Sequence, residues 1–143
     1  RQLAGATHPR HVAMIIDGNR RWARQWGGTS DHGYRAGARK MREFLTWCDD
    51  AGIGVVTLYL LSSDNLTGRD ADELAGLTQI IAELADELSG VRDWRVHHVG
   101  TRDGLPAELC TALSRAEEKT SAHPGLHINL AVGYGTGFLA LSE

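Results

Sequence analysis

The sequence of 143 residues lacks the features that mark several classes of protein. Its two cysteines, Cys48 and Cys110, lie far apart and have neither metal-site nor redox-pair spacing. No apolar run approaches the roughly 20 residues of a membrane span, and residues 1–10 lack the apolar core of a signal peptide. These absences favour a soluble, cytoplasmic protein with buried free thiols rather than a disulfide.

The sequence also lacks an excess of positive charge. Fifteen Lys and Arg residues against 18 Asp and Glu residues give a formal net charge of −3. This balance provides no general attraction to nucleic acid or to an anionic membrane, so any basic surface must be local. No repeat, low-complexity tract or linker interrupts the chain, and its length fits a single domain over residues 1–143.

What the chain does have is a regular alternation of strand-like and helix-like segments. Apolar runs of strand length cover residues 12–16, 55–61, 96–99 and 127–132. Helical periodicity covers residues 37–51, 71–88 and 106–121, with Gly52 and Gly90 at the expected helix ends and Pro106 opening the third helix. This order predicts an α/β fold with right-handed crossovers and a mostly parallel sheet flanked by helices.

Polar residues follow the first two predicted strands. Residues 17–22, Asp-Gly-Asn-Arg-Arg-Trp, follow the first strand, and residues 62–66, Ser-Ser-Asp-Asn-Leu, follow the second. Ligands of parallel sheets bind outside the carboxyl ends of the strands, so both loops are expected at one rim. A carboxylate, a glycine and two arginines at a strand-to-helix junction can present a metal ion and N–H groups to phosphate.

Plainer interpretations of both loops remain open. Residues 17–19 alone suit a turn and helix N-cap, and residues 62–65 alone suit another N-cap. However, Arg20, Arg21 and Arg24 place three cations near a helix N-terminus, which is unfavourable unless an anion binds there.

Other polar and aromatic residues have ordinary structural interpretations. Trp22 and Trp26 are four residues apart, so a core-facing stripe is as good an interpretation as substrate contact. The acidic pairs at residues 49–50 and 117–118 suit solvated helix faces. Residues 97 and 98, both histidine, alternate across a strand, so at most one can face a site, and no third ligand has suitable spacing for zinc.

Four segments together carry a family resemblance: HVAMIIDGNRRWAR, HGYRAGARKM, LYLLSSDN and DADELAGL. In this order and at this spacing they resemble the cis-prenyltransferases, the undecaprenyl diphosphate synthase family. They are most similar to the short-chain Z-isoprenyl diphosphate synthases of actinobacteria. The resemblance runs from His11 to Tyr134 and implies a cis-prenyltransferase-like α/β fold, not the all-α fold of trans-prenyltransferases.

The resemblance also implies roles for individual residues. Asp17 matches an essential aspartate that helps to hold Mg²⁺ on the allylic diphosphate, and Arg21 and the adjacent N–H groups match the diphosphate ligands. Asn65 matches an asparagine implicated in removing the proton from isopentenyl diphosphate. The substrate-binding residues implied in this way are Gly18, Asn19, Arg20, Arg21, Trp22, Tyr34, Ser62, Ser63, Asp64, Leu66 and Arg69.

The resemblance further implies the reaction and its product. The enzyme would condense isopentenyl diphosphate with dimethylallyl or geranyl diphosphate to give a Z-prenyl diphosphate of about ten to fifteen carbons, as a homodimer. Leu60 stands where long-chain members have a small residue, so it would plug the hydrophobic tunnel. Regular strand alternation would send Leu60 and Leu61 to opposite faces, so that only one lines the tunnel.

The chain departs from the family pattern at several positions. Tyr34 replaces a usual histidine, Leu66 a usual tryptophan and Thr101 a usual aspartate, while Arg69 is displaced by one residue. After Gly135 the expected arginines, serine and acidic metal ligand are not recognisable, so the sequence is expected to be truncated or gapped. Two alternatives follow: an incomplete or non-catalytic subunit of a heteromeric enzyme, and irregular coupling of the lavandulyl type.

Overall fold

A computed structural model of the chain describes residues 10–15, 31–63, 66 and 71–135. Strands and helices alternate through these residues, as the sequence predicts. In chain order the elements are β1 His11–Ile15, α1 Asp31–Asp50, β2 Val55–Ser62, α2 Ala71–Ser89, β3 Arg95–Val99, α3 Ala107–Thr120 and β4 His127–Tyr134. No helix in these ranges is long and apolar enough to cross a membrane.

The four strands form one parallel sheet in the order β1-β2-β4-β3. Val56 of β2 lies beside Val12 of β1 on one side and Ile128 of β4 on the other. The chain passes from β2 to β3 over the position that β4 later fills, so β2 and β4 occupy the centre. The predicted α/β fold with a parallel sheet is confirmed.

All three helices contribute to one main hydrophobic cluster that also contains side chains of β2, β3 and β4. The predicted apolar stripes are confirmed, because their members are buried or half-buried. Full burial of a leucine or isoleucine stabilises the fold by about 1.5–3 kcal/mol relative to exposure. The fully buried helix residues that anchor the cluster include Leu45 and Cys48 of α1, Ile81 and Leu88 of α2, and Leu109 and Leu113 of α3.

Helix α1 begins at Asp31, six residues before the predicted start at Gly37. The periodicity could not reveal this start, since Gly33 and Gly37 lower helix propensity and the apolar stripe begins only at Met41. The predicted end at Gly52 is confirmed. Gly52 has φ +85°, and the N–H of Ile53 donates to the carbonyl of Cys48 at 3.0 Å, the pattern of a Schellman cap.

Strand β1 is less buried than its apolar sequence predicts. Val12 and Met14 are half-buried and Ala13 is exposed. Among the strands that the structure describes, β1 pairs only with β2, so it forms an edge of the sheet. An apolar run indicates a strand but does not distinguish an edge strand from a central one.

The two cysteines are free thiols. Cys48 is fully buried in the main cluster, and burial raises the pKa of its thiol. Cys110 is only half-buried, so the prediction that both thiols are buried is wrong for Cys110. Cys110 lies at the first turn of α3 on the border of the apolar stripe, where helical periodicity does not decide between burial and exposure.

Candidate active site

The carboxyl ends of β1 and β2 lie side by side at one edge of the sheet. These strands are parallel neighbours, with Ile15 opposite Tyr59 in the register. The chain leaves β1 two residues before Asp17, and it leaves β2 at Ser62, the first residue of the second polar loop. Both loops therefore start from the rim where parallel α/β sheets bind their ligands.

Part of the predicted site lies within the residues that the structure describes. Ser62 is buried, Ser63 is half-buried, and half-buried Leu66 packs against the main cluster. The backbone of Tyr34 lies in the first turn of α1, but its side chain is outside the described part of the structure. The remaining predicted site residues lie outside the described residues: Asp17, Gly18, Asn19, Arg20, Arg21, Trp22, Asp64, Asn65 and Arg69.

Two compensating irregularities shape the rim between β2 and β4. The register runs from Tyr59 opposite Ala131 to Leu61 opposite Val132, which leaves Leu60 as an extra residue on β2. It then passes to Ser62 opposite Tyr134, which leaves Gly133 as an extra residue on β4. Such bulges redirect side chains at the ends of strands. Sequence periodicity does not reveal them.

The first bulge corrects the expectation that Leu60 and Leu61 serve opposite faces. Both side chains are buried, and both belong to the main hydrophobic cluster with Leu58. In a regular strand, Leu61 would point to the same face as Tyr59. Tyr59, however, packs in a separate cluster that does not contain Leu61. Both leucines therefore pack in the main cluster near the carboxyl end of β2.

An aromatic pair that the sequence did not single out lies near the carboxyl ends of β2 and β4. The rings of Tyr59 and Tyr134 meet edge to face with centroids 5.0 Å apart, and both residues are buried. Together with Ala131 they form the second hydrophobic cluster. Each tyrosine stands near the carboxyl end of a central strand, and this position is the only sequence signal that marks it.

Two glycines allow the ends of β3 and β4 to approach each other closely. Gly100 has φ +120°, and a Cβ there would lie 2.4 Å from the carbonyl oxygen of Val132. Gly133 has φ +80°, and a Cβ there would lie 2.5 Å from the carbonyl oxygen of Thr101. The N–H of Thr101 donates to the carbonyl of Gly133 at 3.3 Å. Only glycine combines this backbone conformation with this approach.

We expect Gly100→Ala to destabilise the protein more than Gly104→Ala. Both positions have positive φ, but a Cβ at Gly104 meets no atom within 4 Å, whereas at Gly100 it would overlap the Val132 carbonyl. The control, Gly104→Ala, should therefore lower the free energy of unfolding only by the cost of placing alanine at positive φ, about 1–3 kcal/mol. Urea unfolding monitored by circular dichroism measures both variants. Equal losses would show that the close approach at Gly100 is not structurally important.

A charged cluster beside the rim corrects the prediction of a solvated acidic face. Glu117 is half-buried, and its Oε2 accepts from the backbone N–H of His98 at 2.7 Å. Its Oε1 accepts from Arg102 at 2.9 Å, while Oε2 also lies 3.0 Å from Nδ1 of His97. Sequence reasoning missed this role because the partners are supplied by β3 and the loop after it. Glu118, the neighbour of Glu117, is exposed as predicted.

The alternation of the two histidines is confirmed. His97 is exposed, while His98 is buried. Burial lowers the pKa of His98, the hydrogen bond to Val132 opposes this shift, and the positive charge of Arg102 adds to it. His98 is a buried group near the carboxyl end of β3, and its Nε2 lies 2.9 Å from the carbonyl oxygen of Val132.

Comparison with known proteins decides the family of this fold and rim. The sequence of residues 15–137 matches the family model for undecaprenyl diphosphate synthase, a prenyltransferase family. The chain belongs to this family. Isoprenyl transferase 1 of Streptomyces avermitilis is 50% identical to it over 127 residues, which are 89% of this chain and 49% of that protein. The (2Z,6E)-farnesyl diphosphate synthase of Thermobifida fusca is 48% identical over 136 residues, which are 94% of this chain and 53% of that protein.

The fold is also similar to that of a solved structure. The crystal structure of lavandulyl diphosphate synthase from Lavandula x intermedia in complex with dimethylallyl diphosphate has a TM-score of 0.74 and 32% sequence identity. The match covers 88% of this chain and 55% of that chain. The chain spans about half the length of the curated relatives it matches. The resemblance inferred from the motifs is confirmed.

Proposed function

We propose that this protein is a short-chain cis-prenyltransferase that condenses isopentenyl diphosphate with dimethylallyl or geranyl diphosphate. The observation that carries the proposal is the parallel pairing of β1 with β2, which starts both polar loops from one rim. The name of the Thermobifida fusca relative, 48% identical, supports a short Z-prenyl product. We propose a product of ten to fifteen carbons and one cis-prenyltransferase-like domain over residues 1–143.

Residues of the first loop would bind the allylic diphosphate. We assign Asp17, Arg21 and the N–H groups that follow Asp17 to this role, because fixed donors stabilise the charge that develops on a leaving diphosphate. The residues assigned to contact the two diphosphate substrates are Gly18, Asn19, Arg20, Trp22, Tyr34, Ser62, Ser63, Asp64, Leu66 and Arg69. Buried Ser62 would fix the start of the second loop at the rim.

Magnesium fits the donor set of this proposal. Mg²⁺ is commonly held by one or two carboxylates together with substrate phosphate oxygens and water, and Asp17 would supply the carboxylate. Among residues 10–15, 31–63 and 71–135, no three His, Cys, Asp or Glu side chains are grouped to hold a metal ion. When bound, Mg²⁺ would neutralise charge on the leaving diphosphate.

The proposed reaction breaks the carbon–oxygen bond of the allylic diphosphate and forms one carbon–carbon bond. The allylic diphosphate would ionise to an allylic cation and free diphosphate, the double bond of isopentenyl diphosphate would capture this cation, and loss of a proton would leave the new Z double bond. An amide is a poor base by itself, so Asn65 would orient the olefin or pass the proton towards a diphosphate oxygen. The apolar side chains below the rim would exclude water from the cation.

Irregular coupling is the second candidate function. It is favoured by the similarity to lavandulyl diphosphate synthase, whose structure matches with a TM-score of 0.74. The two reactions differ in the carbon skeleton of the product, which is linear for regular coupling and branched for lavandulyl-type coupling.

A homodimer located in the cytoplasm remains our prediction for the protein in the cell.

Product formation from labelled isopentenyl diphosphate tests the proposal. The purified protein is incubated with Mg²⁺ and either dimethylallyl or geranyl diphosphate, and the dephosphorylated products are separated by chromatography. We expect a linear Z product of ten or fifteen carbons that disappears when the metal is chelated. A branched product would replace regular coupling by the second candidate. The absence of any product from folded protein with either primer would contradict both.

A further inference from the structure

The carboxyl end of β4 extends beyond its neighbour β3. Strand β3 ends at Val99, opposite Ala131, whereas β4 continues to Tyr134. The side chain of His98 reaches past this end, and its Nε2 lies 2.9 Å from the carbonyl oxygen of Val132. A carbonyl oxygen can only accept, so Nε2 must carry the proton.

The other ring nitrogen of His98 faces a permanent donor. Nε of Arg102 lies 3.2 Å from Nδ1 of His98. A guanidinium group has no acceptor, so Nδ1 must be the accepting nitrogen. The two contacts together select the neutral Nε2–H tautomer of His98, since an imidazolium would direct an N–H at the arginine.

Helix α3 holds Arg102 in this orientation. Oε1 of Glu117 accepts from Nη2 of Arg102 at 2.9 Å, and Oγ of Ser114 accepts from Nη1 of Arg102. Glu117 also accepts from the backbone N–H of His98 at 2.7 Å, so one carboxylate fixes both the arginine and the start of the histidine side chain. Besides these groups, exposed His97 is the titratable residue that contacts Glu117.

The carbonyl that His98 binds precedes the bulge that shapes the rim. Val132 is followed by Gly133, the extra residue on β4, and then by Tyr134, which lies opposite Ser62 in the register. The position of Val132 therefore helps to set the position of Ser62, where the second polar loop begins.

We infer that His98 is a positioning residue: its Nε2–H holds the Val132 carbonyl and thereby fixes the end of β4 beside Ser62. The effect on prenyl transfer rests on the proposed function, whereas the effect on the rim does not. His98 contacts no reacting atom in this scheme. Removing this hydrogen bond should shift the start of the second polar loop and thereby lower kcat. A general loss of packing should instead affect the whole protein and not this region alone.

The test compares His98→Leu with His98→Gln. Leucine removes the donor and keeps an apolar side chain, whereas the glutamine amide can still donate towards Val132. We expect His98→Leu to accelerate hydrogen exchange of the Thr101 amide and to lower kcat, each by about tenfold, the order expected for losing one buried hydrogen bond. We expect His98→Gln to restore both to within about threefold of the parent protein.

A measurement on the unaltered protein keeps the inference testable if His98→Leu does not fold. Long-range proton–nitrogen spectra should show His98 as the neutral Nε2–H tautomer at pH 6.5, the ordinary pKa of histidine. A neutral Nδ1–H tautomer or an imidazolium would overturn the inference. An unchanged rate of hydrogen exchange at the Thr101 amide in folded His98→Leu would also overturn the inference. Equal acceleration of exchange at every amide would overturn it as well.

The two proposals can fail separately. If the unaltered protein forms no product, the proposed function fails, while the tautomer and the exchange of Thr101 still decide the role of His98. If the protein is active but His98→Leu retains the parent kcat and the parent exchange rate, the role of His98 fails and prenyl transfer stands.

Discussion

Asp17→Ala is expected to abolish nearly all prenyl transfer while the fold remains intact. Asp17 follows the end of β1 by two residues in the sequence, and β1 ends beside β2, which leads into the second polar loop. Its proposed role is electrostatic, since its carboxylate would hold Mg²⁺ on the leaving diphosphate. Loss of one such group commonly lowers kcat by about 10²–10³-fold. Product formation from labelled isopentenyl diphosphate measures the loss, and circular dichroism measures the fold.

Asp50→Ala is the matched control for Asp17→Ala. It removes a carboxylate of the same size from the exposed end of α1, so activity should stay within about twofold of the parent, as is usual for a surface position. Activity of Asp17→Ala within tenfold of the parent would exclude Asp17 from an essential role. A folded Asp17→Ala variant with normal activity would also remove the case for a metal at this residue.

Leu60→Ala is expected to lengthen the product by one or more five-carbon units. Leu60 is the extra residue of the β2 bulge, and its side chain is 4% exposed within the main cluster. If a growing chain enters this cluster from the rim, the isobutyl group blocks its path, and alanine opens space for it. The truncation should also lower the free energy of unfolding by about 2–5 kcal/mol. Chromatography of dephosphorylated products measures the change in length.

Two neighbouring leucines control for the loss of packing. Leu58→Ala truncates a fully buried residue of the same strand and cluster, so a similar loss of stability with an unchanged product is expected. Leu61→Ala tests the other leucine at the bulge. An unchanged product from active Leu60→Ala, with a longer product from Leu61→Ala, would assign chain length to Leu61. An unchanged product from both would place the determinant elsewhere.

The sequence alone determined the order and type of the elements. Continuous apolar runs predicted β2 and β4, and helical stripes such as Met41, Leu45 and Cys48 predicted which helix faces are buried. These features are predictable because a residue's position in a repeat of two or 3.6 fixes the direction of its side chain. The two polar loops and their common rim followed from the parallel arrangement.

Only the tertiary structure decided the strand order and the details of the rim. Periodicity reports burial but not partners, so it could not place β4 between β2 and β3 or show that β1 is less buried. The bulge at Leu60 depends on its register with β4, which regular alternation cannot reveal. The need for glycine at Gly100 arises from the Val132 carbonyl, 32 residues later in the chain.

The charged cluster shows the same limit for polar residues. On its own helix, Glu117 resembles any solvated carboxylate, and its role appears only when the crossover brings His98 and Arg102 against α3. The sequence therefore determined which segments form helices and strands, and it predicted the rim of β1 and β2 as the ligand site. The tertiary structure determined which side chains meet at that place, because contacts between distant segments depend on register and packing rather than on local pattern.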